Sequence, residues 1–103
     1  YRLKKGSSYS GFEYGGATWY HGRSNDGSDS YETEMMTAAH KTLEFGTIVK
    51  VTNLNNNKSV IVKINDRGPY RDGYIIDLSS ASFAEIELLS TGITQVYLEV
   101  LKN

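Results

Sequence analysis

A small, mainly β barrel is the fold class predicted by three observations. Short segments of alternating apolar and polar residues recur along the chain, runs of Gly, Asn, Asp and Ser separate them, and only one or two short stretches carry helical spacing. The chain has 103 residues, one domain's worth. A chain of this size buries roughly 60–70% of the surface its unfolded form exposes, enough for one modest core.

The elements follow in chain order. Residues 1–14 are set aside as an N-terminal extension, rich in Lys, Gly, Ser and Tyr, and residues 15–103 are assigned to the barrel. Ala17 to Tyr20 is a candidate strand. Residues 22–30 (GRSNDGSDS) read as a surface loop. Thr37 to His40, with two alanines, is a candidate short helix. Ile48, Val49, Val51 and Leu54 alternate with polar residues, and Val60, Ile61, Val62 and Ile64 repeat the pattern. Asn55-Asn56-Asn57 lies between these two strands. Asn tolerates positive φ, so a tight hairpin is expected there. Gly73 to Ile76 is a further strand, and residues 96–101 (VYLEVL) form the last. Between them a helix is expected, with Ser79 or Ser80 as N-cap, an apolar stripe through Ala81, Ala84, Ile86 and Leu88-Leu89, and Gly92 as its stop.

Composition narrows the function. Eleven Lys and Arg against twelve Asp and Glu leave a formal charge of −1, which exerts no general pull toward nucleic acid or anionic membrane. Cys is absent, excluding disulfides, thiolate catalysis and Cys-ligated metal sites. No run of 18 apolar residues exists, so no transmembrane segment is expected in this chain. His21 and His40 are the only histidines and form no HxH or HExxH spacing. Metal binding is therefore weakly supported.

Three polar clusters are candidates for chemistry. In residues 37–43 (TAAHKTL), small neighbours would let another backbone approach His40 closely. In residues 64–70 (INDRGPY), a hydrophobic strand ends abruptly in Asn65, Asp66 and Arg67 before a Gly-Pro breaker. Asp66 there is either an Asx-turn residue paired with Arg67 or a partly desolvated carboxylate able to act as acid and base. The third cluster holds Asp26, Asp29, Glu32 and Glu34, either a solvated loop or the source of a second carboxylate. Trp19, Tyr20, Tyr70 and Tyr74 either line a sugar-stacking groove or fill the core.

These blocks resemble the rare lipoprotein A (RlpA) family. Residues 16–20 (GATWY), 36–43 (MTAAHKTL), 45–47 (FGT), 51–54 (VTNL), 62–70 (VKINDRGPY) and 75–79 (IIDLS) occur in the family's order, and Gly92 with the closing strand completes it. The resemblance spans about residues 15–101 and implies a six-stranded double-psi β-barrel with one or two short helices. It implies a lytic transglycosylase of peptidoglycan glycan strands, preferring strands poor in stem peptides, without cofactors. It also implies an exported protein of periplasm, cell envelope or extracellular space, expected to be a monomer, with any signal or lipid anchor outside these residues. The alternative is a non-catalytic, expansin-like module that binds or loosens wall polysaccharide.

The site residues implied by the resemblance carry over one by one. The family's essential Asp falls on Asp66 and its His on His40. Its third functional residue, a Glu, falls eleven positions before His40 on Asp29, with Asp26 and Glu32 as alternatives. Trp19, Tyr20, Asn65, Arg67 and Tyr70 are the expected substrate-binding residues. His40 is expected to hold a carboxylate by hydrogen bond, and Arg67 to pair with Asp77 or to support the turn. This chain departs from the family pattern in having Asp at position 29 and Glu44 where a Pro is usual.

Overall fold

The computed structural model describes residues 12–20 and 36–102. Six strands close into a barrel among them: β1 (Phe12–Tyr20), β2 (Thr37–His40), β3 (Ile48–Asn53), β4 (Ser59–Asp66), β5 (Tyr74–Ser79) and β6 (Thr94–Lys102). A five-residue helix, α1 (Ser80–Ala84), and a 3₁₀ turn (Leu89–Thr91) lie between β5 and β6. Around the barrel the order is β1-β5-β2-β4-β3-β6, with β6 returning to β1. The pairs β1–β5 and β2–β4 are parallel, and the other four are antiparallel. This is the expected mainly β, six-stranded barrel. No helix among the described residues is long and apolar enough to cross a membrane.

Alternation builds the core. Val60, Val62 and Ile64 of β4 are buried while Ser59, Ile61 and Lys63 between them are exposed. Val49 and Val51 of β3, Ile76 and Leu78 of β5, and Val96 and Leu98 of β6 complete the interior, together with the fully buried Ala17 and Ala38. Phe83 and Ile86 pack against this interior and are fully buried. Gly15 lies against Ile75, where an added Cβ would stand 2.6 Å from Ile75 Cγ2, so only glycine lets β1 approach β5 there.

The hairpin between β3 and β4 forms as expected. Asn57 takes φ 66°, the Asn53 amide donates to Lys58 O at 2.8 Å, and the Asn57 amide donates to Asn53 O at 2.7 Å. Two expected elements differ. Thr37 to His40 is a strand, not a helix. Four residues are too few to nucleate a helix, whereas β4 and β5 offer hydrogen-bonding edges on both sides. The expected helix after β5 starts at its expected cap, Ser79, whose Oγ accepts from the Ser82 amide at 3.2 Å, but ends at Ala84. The Asn53 and Asn56 side-chain amides donate to Ile86 O at 2.7 and 3.0 Å, drawing that segment to the hairpin instead of onward into a helix. β1 also begins at Phe12, inside the stretch 1–14 set aside as an extension, and β5 runs on to Ser79.

Candidate functional site

β2 is the centre of the site. Its Ala39 pairs with Asp66 of β4 on one side and with Asp77 of β5 on the other. Strand spacing puts the two aspartate backbones roughly 10 Å apart. Ala39 contributes only a methyl group between them.

A register shift creates this row. Ile64 pairs with Ala38, but Asp66, two residues on, pairs with the adjacent Ala39, so Asn65 is the extra residue of a bulge. Without it, Asp66 would share the inward side of Ile64, because residues two apart line one face. The bulge turns Asp66 to the side of Ala39. Asp66 Oδ1 then accepts the Arg67 amide at 2.8 Å. The Asx contact and the half-buried placement of a carboxylate at a strand end are therefore found together.

Asp77 stands in a strand between the fully buried Ile76 and Leu78 and is itself half-buried. Thr18, its register partner on β1, donates from Oγ1 to Asp77 Oδ1 at 2.9 Å. Burial pushes the Asp77 carboxyl above its ordinary value of 3.8, and the negative charge of Asp66 adds to the rise; the Thr18 bond works against it. Thr18, Asp77, Ala39 and Asp66 thus form a continuous row across three strand boundaries.

His40 follows Ala39 and pairs with the buried Ile76, so alternation turns its ring to the inner side of the barrel wall. Both ring nitrogens are committed. Nδ1 accepts the amides of Thr42 and Leu43 at 3.1 and 3.2 Å, which leaves the proton on Nε2 to donate to Glu13 Oε1 at 2.8 Å. The carboxylate that His40 holds is that of Glu13, a residue outside the expected site set. Arg67 supports the turn: its Nη1 donates to His40 O at 3.2 Å and Leu43 O at 2.7 Å, and its guanidinium lies 4.5 Å from the centre of the Phe45 ring. Arg67 connects the Asp66 segment to the His40 turn, while Asp77 bonds Thr18.

The remaining expected residues are distributed as follows. Asn65 is the bulge residue, half-buried at the end of β4. Tyr70 is 78% exposed just beyond it. Trp19 packs against the core and donates from Nε1 to Leu89 O at 2.9 Å. Tyr20 shares a hydrogen bond with Thr37 at 3.1 Å. Asp29, with Asp26 and Glu32, lies outside the described residues. Three residues enter that the sequence reading passed over as site residues: Asp77, Thr18 and Glu13. Asp77 left a signal, a carboxylate inside an otherwise apolar strand. Glu13 left none, because its partner is 27 residues away.

A closed six-stranded barrel carrying two carboxylates on the wall strands that flank β2 defines the class: a small β-barrel with a paired-carboxylate site. A family model described as lytic transglycolase matches residues 13–98, and the chain belongs to that family. It is 46% identical over 89 residues to an endolytic peptidoglycan transglycosylase RlpA of Campylobacter jejuni, covering 82% of this chain and 32% of that protein. It is also 46% identical over 106 residues to the protein of the same name in Haemophilus influenzae, covering 98% of this chain and 37% of that protein. The chain therefore spans about a third of the length of these relatives. Among solved structures, a Streptomyces papain inhibitor shares the fold with a TM-score of 0.69 at 22% identity, over 90% of this chain and 96% of that one. An expansin of Clavibacter michiganensis does so with the same TM-score and identity, over 89% of this chain and 51% of that one.

Proposed function

We propose that this domain is a peptidoglycan lytic transglycosylase, acting on stem-peptide-poor glycan strands outside the cytoplasm. The observation that carries the reading is the Asp66–Ala39–Asp77 row, set in the chain's lytic transglycolase fold. The relatives' names, which specify endolytic peptidoglycan transglycosylase, support the choice of substrate.

The reaction needs no external water. The C6 hydroxyl of N-acetylmuramic acid attacks its own anomeric carbon, the β-1,4 bond to N-acetylglucosamine breaks, and a 1,6-anhydro ring closes. One group must protonate the leaving glycosidic oxygen and then accept the C6 proton. Asp66 takes that role, since it stands at a strand end with one oxygen held by the Arg67 amide. Burial and the charge of Asp66 favour the protonated form of Asp77, so Asp77 retains its proton to higher pH than an isolated aspartate does. An oxocarbenium-like centre develops between the two proton transfers, and a nearby anion stabilises it. Asp29 is assigned that part through the family resemblance. Tyr70, Asn65 and Arg67 border the end of β4 and are assigned to glycan contact, with Trp19 and Tyr20 on β1.

The test is mass spectrometry of sacculi, intact and amidase-stripped, after incubation with the protein. Products ending in 1,6-anhydro-N-acetylmuramic acid are expected, more from stripped strands. Asp66→Asn should abolish them while leaving the circular dichroism spectrum unchanged, because an amide cannot cycle as acid and base. Strands bound without new ends would establish the expansin-like binding reading instead, and plain reducing ends would indicate hydrolysis.

A further inference from the structure

We infer that Glu13 is a positioning residue for the site, acting through His40 on the segment that holds Asp66. The inference rests on the function proposed above and names a residue outside the motifs that suggested it.

Each link is a hydrogen bond. Glu13 is the register partner of Leu98 on the neighbouring β6, a buried residue, so it belongs to the inward-facing set of β1 at the end where that strand begins. From there its carboxylate reaches the Nε2–H of His40 at 2.8 Å. The side chain of Glu13 is 44% exposed whereas that of His40 is 6% exposed, so the carboxylate stays hydrated while the ring it holds is buried. A buried ring that donates to a carboxylate on one side has its orientation and tautomer set. Its other nitrogen then collects two amides, those of Thr42 and Leu43. That folds residues 40–43 so that two carbonyls, His40 O and Leu43 O, converge on one nitrogen of Arg67. Arg67 in turn gives its backbone amide to Asp66.

The chain of contacts has a consequence for catalysis. Asp66 follows a bulge, where the ladder is locally interrupted and its backbone is held less firmly than mid-strand. Fixing Arg67 through the carbonyls of the turn after β2 restrains the residue next to Asp66. Glu13 touches neither Asp66 nor Arg67 by these bonds, so it is not a catalytic residue. Its contribution is to hold an acid–base group in reacting geometry, which alters turnover more than substrate binding.

The test uses Glu13→Ala and Glu13→Gln in the 103-residue chain, with amidase-stripped glycan strands as substrate. Glu13→Ala should lower kcat roughly ten- to a hundred-fold with KM within about twofold of wild type, and Glu13→Gln should recover to within about threefold, because its amide oxygen still accepts from Nε2–H. Nitrogen-15 NMR of the imidazole should show the Nε2–H tautomer in wild type and in Glu13→Gln. Wild-type kcat in Glu13→Ala overturns the inference, as does a Gln variant as impaired as the Ala one, or a loss that merely tracks a lowered melting temperature. If the wild-type chain forms no anhydro ends, the proposed function fails. The inference is then decided by NMR alone: altered amide shifts at Thr42, Leu43 and Arg67 in Glu13→Ala support it, and unaltered shifts at Arg67 overturn it.

Discussion

Asp77 shows how a single residue's surroundings set its chemistry. Half-buried between Ile76 and Leu78 and close enough to feel the charge of Asp66, it favours its protonated form more than a free aspartate does. A carboxyl whose folded-state value lies above its unfolded value binds protons more tightly in the folded protein. Its contribution to stability is therefore largest below the ordinary value of 3.8 and is lost as pH rises through the raised folded value. Asp77→Asn removes this dependence while keeping an oxygen for the Thr18 hydroxyl. The variant should melt above wild type at neutral pH, and the gap should shrink as pH falls toward 3.8; a gap independent of pH would count against the linkage. Asp66→Asn provides the complementary result on the far side of β2: little change in melting and loss of cleavage.

At the scale of elements, the hairpin between β3 and β4 does more than reverse the chain. The side chain of Asn53 is fully buried and makes a hydrogen bond with each element around it. Nδ2 donates to Ile86 O at 2.7 Å, while Oδ1 accepts from the Asn55 amide at 2.9 Å and from the Thr94 hydroxyl at 2.8 Å. One side chain thereby ties the end of β3, the hairpin, the segment after α1 and the start of β6. Truncation would strand several polar groups away from water, a situation costing about 1–3 kcal/mol per group. Asn53→Ala should lower the stability measured by urea unfolding by about 3 kcal/mol, near the upper end of what single substitutions do. A loss below about 1 kcal/mol would mean that water replaces the amide there. The same network accounts for the short helix: the Ile86 carbonyl is turned toward two asparagines.

At the scale of the molecule, the barrel depends on pairings between segments distant in sequence, β1 with β5 and β6 above all. Such topologies fold slowly, typically over milliseconds to seconds, because loop closure precedes the contacts that reward it. The β1–β5 approach also has little tolerance. Gly15→Ala drives a methyl group into Ile75, with Cγ1 and Cδ1 at 3.1 and 3.2 Å behind the closer Cγ2. Overpacking of this kind costs about 1–3 kcal/mol. The double variant Gly15→Ala/Ile75→Ala should recover part of that loss relative to Ile75→Ala alone, giving a favourable coupling energy in a thermodynamic cycle. Simple additivity would show that the barrel yields elsewhere.

The strands with clear alternation, β3, β4 and β6, were legible because half-burial imprints a period of two on the residues themselves. The hairpin and the Ser79 cap were legible because Asn tolerates positive φ and Ser supplies an acceptor at a helix start. Asp66 and His40 stood out through their motifs, which marked them as candidates and left their partners open. β2 was not legible: alanine favours a helix in isolation, and only the presence of β4 and β5 on either side makes Thr37–His40 a strand. The partners of the site residues were equally hidden. Which carboxylate stands beside Asp66, and which one His40 holds, depends on a one-residue bulge at Asn65 and on strand neighbours that are distant in sequence. Composition, periodicity and turn chemistry are local properties, so they determined the class of fold and the candidate chemistry. Register and barrel closure are set by packing among all six strands at once, and that packing alone placed Asp77 across from Asp66 and Glu13 against His40.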